Sequence, residues 1–225
     1  MRTIQIAIDG PSGAGKSTLA REVAARLGFL YVDTGAIYRT IGYDFYRKGL
    51  DPHDAAAVEA ELPGLRVEAV HGADGLQHML LSGEDVTEEI RLPAVSAYAS
   101  AVSAHPAVRD YLLDMQRQLA RTHNVIMDGR DIGTVVLPDA EVKIFLTAAP
   151  EVRARRRMLE LMQRGTPESF EKVLADLEKR DWDDSHRPVA PLRQAEDAVL
   201  LDTSDLDFQA SAEALLAIIR ERTGL

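Results

Sequence analysis

Residues 10–17 constrain this chain more than any other part of its sequence. They read Gly-Pro-Ser-Gly-Ala-Gly-Lys-Ser and match the pattern G-x-x-x-x-G-K-[ST]. The match follows a short apolar run, residues 4–9, and precedes a helical pattern at residues 16–27, which is the setting that the pattern requires. A strand, a glycine-rich loop and a helix in this order predict the beginning of an α/β fold around a parallel sheet.

The chemistry of this loop predicts a binding site for the phosphates of a nucleoside triphosphate. Glycines let the backbone turn its N–H groups toward an anion, and the start of the helix adds the positive end of its dipole. Lys16 can reach the β- and γ-phosphates, and the Ser17 hydroxyl can bind Mg²⁺. We therefore expect ATP and Mg²⁺ at residues Gly10, Pro11, Ser12, Gly13, Ala14, Gly15, Lys16 and Ser17, with Ser17 as the metal ligand.

The rest of the chain alternates short apolar runs with amphipathic helical patterns, which predicts βα units and a five-stranded parallel sheet flanked by helices. The predicted strands cover residues 4–9, 29–33, 125–128, 142–146 and 198–202. The predicted helices cover residues 16–27, 36–47, 106–121, 151–163, 168–179 and 206–222.

Two stretches interrupt this alternation. Residues 65–70 and 76–81 alternate in the manner of strands and are joined by Gly72-Ala73-Asp74-Gly75, which predicts an antiparallel hairpin. Residues 180–191 are polar and contain two prolines, so we interpret them as an irregular, mobile loop or lid. No linker is rich enough in Gly, Ser or Pro to predict two independent domains.

Composition excludes several classes of function. The 225 residues carry a formal net charge of -10, which argues against polymeric nucleic acid and anionic membrane as partners. There is no cysteine, so disulfides, cysteine-bound metals and thiol catalysis are excluded, and a reducing, cytoplasmic location is expected. No apolar run is long enough to cross a membrane. Nothing in the sequence indicates an obligate interface, and we expect a monomer.

Among proteins with this loop, a small-molecule kinase fits the sequence best. The chain lacks the Asn-Lys-x-Asp that reads guanine, and residues 81–84, Leu-Ser-Gly-Glu, are interpreted as a turn. Several arginines stand near the ends of predicted elements, where an anionic second substrate would bind. Kinases for UMP or shikimate, and a regulatory module that hydrolyses ATP slowly, remain alternatives.

Five segments resemble the bacterial cytidylate kinase family of nucleoside monophosphate kinases: residues 6–18, 33–39, 82–86, 128–136 and 187–192. The resemblance spans nearly the whole chain and implies phosphoryl transfer from ATP to CMP or dCMP. It adds Thr18 to the ATP-binding residues. It also implies one kinase domain, with a core of residues 1–34, 92–150 and 195–225, a nucleotide-monophosphate-binding insert at about 35–91 and a lid region at about 151–194.

The resemblance assigns the reading of cytosine to Ser100, Arg109 and Asp131. A carboxylate can accept from the N4 amino group of cytosine while arginine donates to the ring acceptors, whereas uracil would present O4 to the carboxylate. Taken without the resemblance, Ser100 and Arg109 are more simply a helix-surface hydroxyl and a solvated helix charge.

The remaining site residues are also implied by the resemblance. Arg39, Arg130 and Arg187 would hold the monophosphate, and Asp184 with Arg180 would lie near the pentose and the transfer path. Asp33 and Asp128 end strands, where they could bind a water on Mg²⁺ or simply cap a helix or a turn. Thr34 supplies a hydroxyl where many relatives have Ser. Arg153 and Arg157 would approach the ATP phosphates. The expected catalytic residues are Lys16, Arg130, Arg153, Arg157 and Arg180.

Overall fold

The computed structural model describes residues 3–72 and 75–225, and the chain forms two compact units within it. The first unit comprises the described residues up to Leu30 together with Thr122–Leu225, and the second comprises Tyr31–Arg121. The second unit thus extends to Arg121, beyond residue 91, where the predicted insert ends. The division into a core, an insert and a lid by function stays a prediction.

The described elements alternate between strands and helices along most of the chain. The strands are β1 Gln5–Asp9, β2 Leu30–Asp33, β3 Val67–His71, β4 Gln77–Leu81, β5 Glu84–Asp85, β6 Val125–Gly129, β7 Val142–Thr147 and β8 Val199–Asp202. The helices are α1 Lys16–Leu27, α2 Thr34–Lys48, α3 Ala55–Glu61, α4 Pro93–Val102, α5 Pro106–Thr122, α6 Pro150–Gln163, α7 Phe170–His186 and α8 Phe208–Thr223. Two short 3₁₀ turns and one π-helical turn, Ile132–Val136, complete the order.

The larger sheet has the predicted five strands, and their order is β2-β6-β1-β7-β8. The register pairs Gln5 of β1 with Val125 of β6 and Ile6 of β1 with Val142 of β7, both in parallel. Strand β1 is central, and Ile6, Ala7 and Ile8 are fully buried. Burial on both faces explains why β1 and β6 are continuous apolar runs rather than alternating ones.

Helices α6 and α7 pack on each other through a small apolar cluster in the first unit. Ala154 of α6 and Val173 and Leu177 of α7 are buried in it, with Leu161, Phe170 and Leu174 around them. Ser169 caps α7 by accepting from the Lys172 N–H, a bond typical of serine at this position. The helix continues without a break to His186.

The prediction of an irregular loop over residues 180–191 is therefore wrong for residues 180–186. The polar side chains do not break the helix, because Asp184 faces inward and the exposed ring of Trp182 stacks on His186 with centroids 3.4 Å apart. The helix ends where Pro188 makes the preceding residue unfavourable for a helix. After it, Arg187 donates to the Ala190 carbonyl and Leu192 N–H donates to the Asp184 carbonyl, so this turn is ordered by its own bonds.

The second unit contains the predicted hairpin. Strands β3 and β4 pair antiparallel, and β5 extends them to a three-stranded sheet. Ser82 and Gly83, in the predicted turn, have φ of 52° and 86°. Of the hairpin's connecting residues, Ala73 and Asp74 lie outside the described part of the chain.

Helices α3 and α4 of the second unit escaped prediction from the sequence. Helix α4 packs closely on α2, since a Cβ at Gly42 would lie 2.6 Å from the Ala99 backbone nitrogen. This contact depends on a glycine meeting an alanine-rich helix, a relation between distant segments that local patterning does not show. Among the described residues, no helix is long and apolar enough to span a membrane.

Candidate active site

The loop of residues 10–17, the phosphate loop, connects β1 to α1. Gly10 has φ of 151°, and a Cβ there would lie 2.0 Å from the Leu146 carbonyl oxygen. Gly13 and Gly15 have φ of 73° and 90°. Only glycine adopts these conformations without strain, so the three glycines fix the path of the loop. Gly15 is the N-cap residue of α1 and has no side chain that could accept from the first N–H groups of this helix.

Lys16 lies buried under this loop. Its ammonium Nζ donates to the carbonyls of Gly10 and Pro11, each at 2.8 Å. Burial, followed by the nearby charge of Arg130, lowers the pKa of Lys16 to about 7. A buried cation beside a second cation favours binding of an anion, which would restore the ordinary preference of Lys16 for its charged form.

Ser17 and Asp128 form an oxygen pair beside the phosphate loop. The Ser17 hydroxyl donates to Asp128 Oδ2 at 2.9 Å. A hydroxyl and a carboxylate are oxygen ligands of the kind that Mg²⁺ prefers when substrate phosphates complete its coordination. The donor set therefore fits the predicted magnesium position at Ser17, with Asp128 as the adjoining carboxylate.

Two arginines of α6 contact the phosphate loop. Arg153 is buried and donates to the Ser12 carbonyl at 2.8 Å and to Asp181 at 2.6 Å. Asp181 in turn accepts from the Ser12 N–H at 3.1 Å. Arg156, which the sequence reasoning did not single out, donates to the Thr203 carbonyl at 2.8 Å and lies 3.5 Å from the Ala14 carbonyl.

The other predicted arginine of α6, Arg157, has a different environment. It pairs with Glu160 at 2.8 Å and is partly exposed. Arg153 and Arg157 are four residues apart, a spacing that predicts one helix face. In the structure Arg153 contacts the phosphate loop at Ser12, and Arg157 pairs with Glu160.

Residues Arg130, Asp131, Asp184 and Arg187 form a second group, the arginine–aspartate cluster. Arg130 donates from Nε to Asp184 at 2.7 Å, and Arg187 lies 3.4 Å from Asp131. All four belong to the first unit. The fold thus brings together two pairs of predicted site residues that lie more than fifty positions apart in sequence. One pair, Arg130 and Asp131, follows β6, and the other, Asp184 and Arg187, lies at the end of α7 and just after it.

Charges within this cluster stabilise each other. Burial alone would raise the pKa of Asp184, but Arg130 and then Arg180 outweigh it, so the pKa is lowered from its usual 3.8. Although burial opposes the charge of Arg130, attraction to Asp184 raises its pKa above the ordinary value. The two ion pairs, Arg130 with Asp184 and Arg187 with Asp131, hold the arginine side chains in place.

One carboxylate in this region was missed by the sequence reasoning. Asp9, the last residue of β1, is 5% exposed and accepts from the N–H groups of Ile132 and Gly133, each at 2.8 Å. Its position immediately before the phosphate loop, inside the segment 6–18 that resembles the family, is a signal that could have indicated a role.

The second unit holds the other predicted residues. Asp33 caps α2 by accepting from the Ala36 N–H at 2.9 Å, which is the capping alternative considered from the sequence. Thr34 begins α2 and is buried, and Arg39 donates to the Ser96 hydroxyl at 2.8 Å. Gln77 of β4 bonds both the N–H and the carbonyl of Asp33, so the hairpin holds the start of α2.

Arg109 of this unit is not a solvated helix charge. It is 7% exposed, lies over the ring of Tyr38 at 5.4 Å and donates to the Ser103 carbonyl. Ser100 is half-buried, and its carbonyl accepts from the Ser103 hydroxyl. A buried guanidinium on an aromatic face is held in one orientation, which suits it to recognise a planar ligand.

A parallel sheet whose central strand leads through a glycine-fixed loop into a helix, with a buried lysine and several held arginines, defines a P-loop nucleotide-binding protein. A family model described as cytidylate kinase matches residues 6–221. The chain belongs to the cytidylate kinase family.

Individual relatives agree with this assignment. A cytidylate kinase of Caldicellulosiruptor bescii is 47% identical over 97% of this chain and 96% of that protein. A cytidylate kinase of Carboxydothermus hydrogenoformans is 49% identical over 96% of this chain and 97% of that protein. A solved structure of an uncharacterized protein from Eubacterium ventriosum shares the fold, with a TM-score of 0.55, 11% identity and coverage of 98% and 100% of the two chains.

Proposed function

We propose that this protein transfers the γ-phosphoryl group of ATP to CMP or dCMP, producing ADP and CDP or dCDP. The observation that carries the proposal is the match of residues 6–221 to the cytidylate kinase family. The phosphate loop and the buried arginines support it, because phosphoryl transfer needs positioned cations around the reacting phosphates.

The phosphate loop would hold ATP through the backbone N–H groups of residues 10–18 and the ammonium of Lys16. Lys16 would exchange its bonds to the Gly10 and Pro11 carbonyls for bonds to the β- and γ-phosphates. Ser17, with Asp128 beside it, would hold Mg²⁺, which when bound supplies charge neutralisation to those phosphates. Arg153 and Arg157 are the arginines of α6 proposed to act on the ATP phosphates; the contacts of Arg153 with Ser12 and Asp181 support its part.

The acceptor phosphate would bind to arginines already held by carboxylates. In the first unit these are Arg130 and Arg187, with Arg180 and Asp184 near the pentose and the transfer path. In the second unit Arg39 has the same proposed role, and Asp33 and Thr34 contribute from the start of α2. The pairing of Arg130 with Asp184 supports this assignment, because it fixes the guanidinium before the substrate arrives.

The cytosine base would be read by Ser100 and Arg109 of the second unit and Asp131 of the first. The Asp131 carboxylate would accept from the N4 amino group, and Arg109 would donate to N3 or O2 of the ring. Burial of both side chains supports this role, since a hydrogen bond to a buried charged group is strong and its absence is costly.

The transfer itself needs no general base from the protein. A phosphate oxygen of CMP is ionised near pH 7 and can attack the γ-phosphorus directly, and the bond from that phosphorus to the bridging oxygen of ADP breaks. Lys16, Arg130, Arg153, Arg157 and Arg180 would stabilise the charge that spreads over the transferring group.

The test measures ADP release from ATP and Mg²⁺ with CMP, dCMP, UMP, AMP, GMP or shikimate as acceptor, and identifies the product by chromatography. We expect CMP and dCMP to give rates at least about tenfold above UMP, the scale of one base-edge contact. A reaction without acceptor provides the background hydrolysis. A rate that CMP does not change would refute the proposal.

We further propose that the protein acts as a cytoplasmic monomer on these small substrates, without nucleic-acid polymers or membranes as partners. The sequence without cysteine supports the location, and the net charge of -10 argues against those partners. Light scattering of the purified protein measures the oligomeric state directly.

A further inference from the structure

The segment after Asp131 is a single π-helical turn, Ile132–Val136. Such turns are rare and occur often at functional sites. The first N–H groups of a helical turn have no partner inside it and need acceptors from elsewhere. Asp131 stands at the capping position with φ of -145° and ψ of 25°, but its side chain makes no cap hydrogen bond there. Instead its carboxylate faces Arg187.

Asp9, at the end of strand β1, supplies acceptors for the first N–H groups of this turn. One of its carboxylate oxygens accepts from Ile132 N–H and the other from Gly133 N–H, both at 2.8 Å. The approach is close, since a Cβ at Gly133 would lie 3.4 Å from Asp9 Oδ2. A residue of β1 therefore does the capping that Asp131 would otherwise do.

The backbone of Asp9 is firmly held, which makes it a suitable anchor. Its neighbours in the sheet are Gly129 of β6 and Phe145 of β7. The side chain is retained at a cost, because burial raises the pKa of Asp9 to about 6 despite the two backbone bonds that lower it. Asp131 raises this pKa further and Lys16 lowers it. A carboxylate kept in such surroundings is more consistent with a site requirement than with stability.

We propose that Asp9 is a positioning residue that caps the turn at Ile132 and Gly133, so that the Asp131 carboxylate faces Arg187 instead of capping its own turn. The inference rests on the proposed function, in which Asp131 reads cytosine. Asp9 itself touches neither substrate. Asp9 comes directly before the phosphate loop, and its two bonds join it to the residues that follow Asp131. The phosphate loop and Asp131 are therefore held at a fixed position relative to each other within the first unit.

The direct test is Asp9→Asn, which preserves volume. An amide has one acceptor oxygen, so its NH₂ group would face one of the two N–H donors and that bond would be lost. We expect the CMP-over-UMP ratio of kcat/KM to fall by roughly 10-fold and the KM for CMP to rise more than the KM for ATP, because a displacement of about 1 Å is sufficient for such losses.

Ile6→Val is the matched control, because Ile6 is buried in the same strand and its partners in the sheet are Ile126 and Val142. It should destabilise the protein through loss of packing in β1 while keeping the bonds of Asp9 to Ile132 and Gly133, and it should leave the ratio unchanged. An unchanged ratio in Asp9→Asn, or an equal fall in both variants, would overturn the proposal.

A second measurement does not depend on the folding of Asp9→Asn or on the activity. Amide hydrogen exchange of Ile132 and Gly133 is measured in the wild-type protein and in Asp131→Ala. Capping by Asp9 predicts equal protection in both, whereas faster exchange in Asp131→Ala would show that Asp131 is the cap and would overturn the proposal. If the wild type has no preference for CMP, the proposed function fails, while the exchange result still decides the capping.

Discussion

The phosphate loop and the arginine–aspartate cluster lie in the same unit but are built by opposite means. The loop depends on backbone conformation: Gly10, Gly13 and Gly15 have positive φ, and a Cβ at Gly10 would collide with a neighbouring strand. The cluster depends on side chains, with Arg130 held by Asp184 and Arg187 beside Asp131. Eight consecutive residues with glycines at three positions can therefore form an anion site. A site made of arginines instead needs carboxylates from distant parts of the chain.

This difference predicts how each region fails. The loss of a charge in the loop should remove function while the fold persists, because the backbone holds the loop. The loss of a charge in the cluster should reduce stability as well, because each charge holds another.

The largest effect is expected for Lys16→Ala. Turnover should fall by roughly 1,000-fold or more, since a cation that meets the transferring phosphate is removed. The free energy of unfolding should hardly change, because burial lowers the pKa of Lys16 to about 7 and its charge does not favour the folded state. Steady-state kinetics and thermal unfolding measure the two, with the exposed Lys172→Ala as control. A large loss of stability in Lys16→Ala would contradict the comparison.

The next effect concerns Asp184→Ala, which leaves Arg130 buried without its carboxylate. We expect a loss of about 3 kcal/mol in unfolding free energy, the scale for breaking a buried ion pair. Urea denaturation measures it, with Asp183→Ala as matched control because Asp183 lies next in sequence and pairs with the exposed Lys179. That control should cost less than about 0.5 kcal/mol.

The same pair of variants has a pH signature. The folded-state pKa of Asp184 is lowered below 3.8, so its contribution to stability is complete above that pH and is lost as the pH falls through the folded-state pKa. Asp184→Ala should lack this part of the acid dependence, and Asp183→Ala should keep it. Equal acid profiles in the two variants would contradict the pairing with Arg130.

Asp131→Ala tests selectivity within the cluster. The preference for CMP over UMP should shrink by about 1–3 kcal/mol, the contribution of one good base contact. Competition between the two acceptors in one reaction measures the ratio without separate enzyme concentrations. Unchanged selectivity would transfer base reading to other residues.

The smallest effect is expected for Arg156→Ala. This arginine joins α6 to the Thr203 carbonyl and approaches the loop at Ala14, so its loss should cost about 1 kcal/mol in unfolding free energy. Arg155→Ala is the matched control on the exposed side of the helix and should change stability by less than about 0.5 kcal/mol. Equal losses would mean that the loop is not supported by Arg156.

The comparison also explains what the sequence could predict. Strand and helix positions in the first unit followed from apolar runs and period, and the phosphate loop followed from its glycines and lysine. Asp9 and Arg156 could not be found this way, because their roles depend on backbone groups at Gly133 and Thr203, far away in sequence. Local pattern carries no information on such partners.

The helical end of α7 escaped prediction for a related reason. A polar run with Asp184 in its centre is typical of a loop, but in the structure it is helical and Asp184 is buried against Arg130. In the second unit, α4 was missed because its contact with Gly42 replaces the amphipathic pattern that a surface helix would show.

Trp182, stacked on His186, is an intrinsic fluorescent probe of the protein. The sequence contains one tryptophan, so all indole emission originates from a single turn of α7. Asp181 and Asp184 of the same turn are bonded to Arg153 and Arg130, and a nucleotide that draws either arginine away would alter the stacking of the ring. Titration of unlabelled protein with ATP or with CMP can therefore be followed through the emission of this one indole.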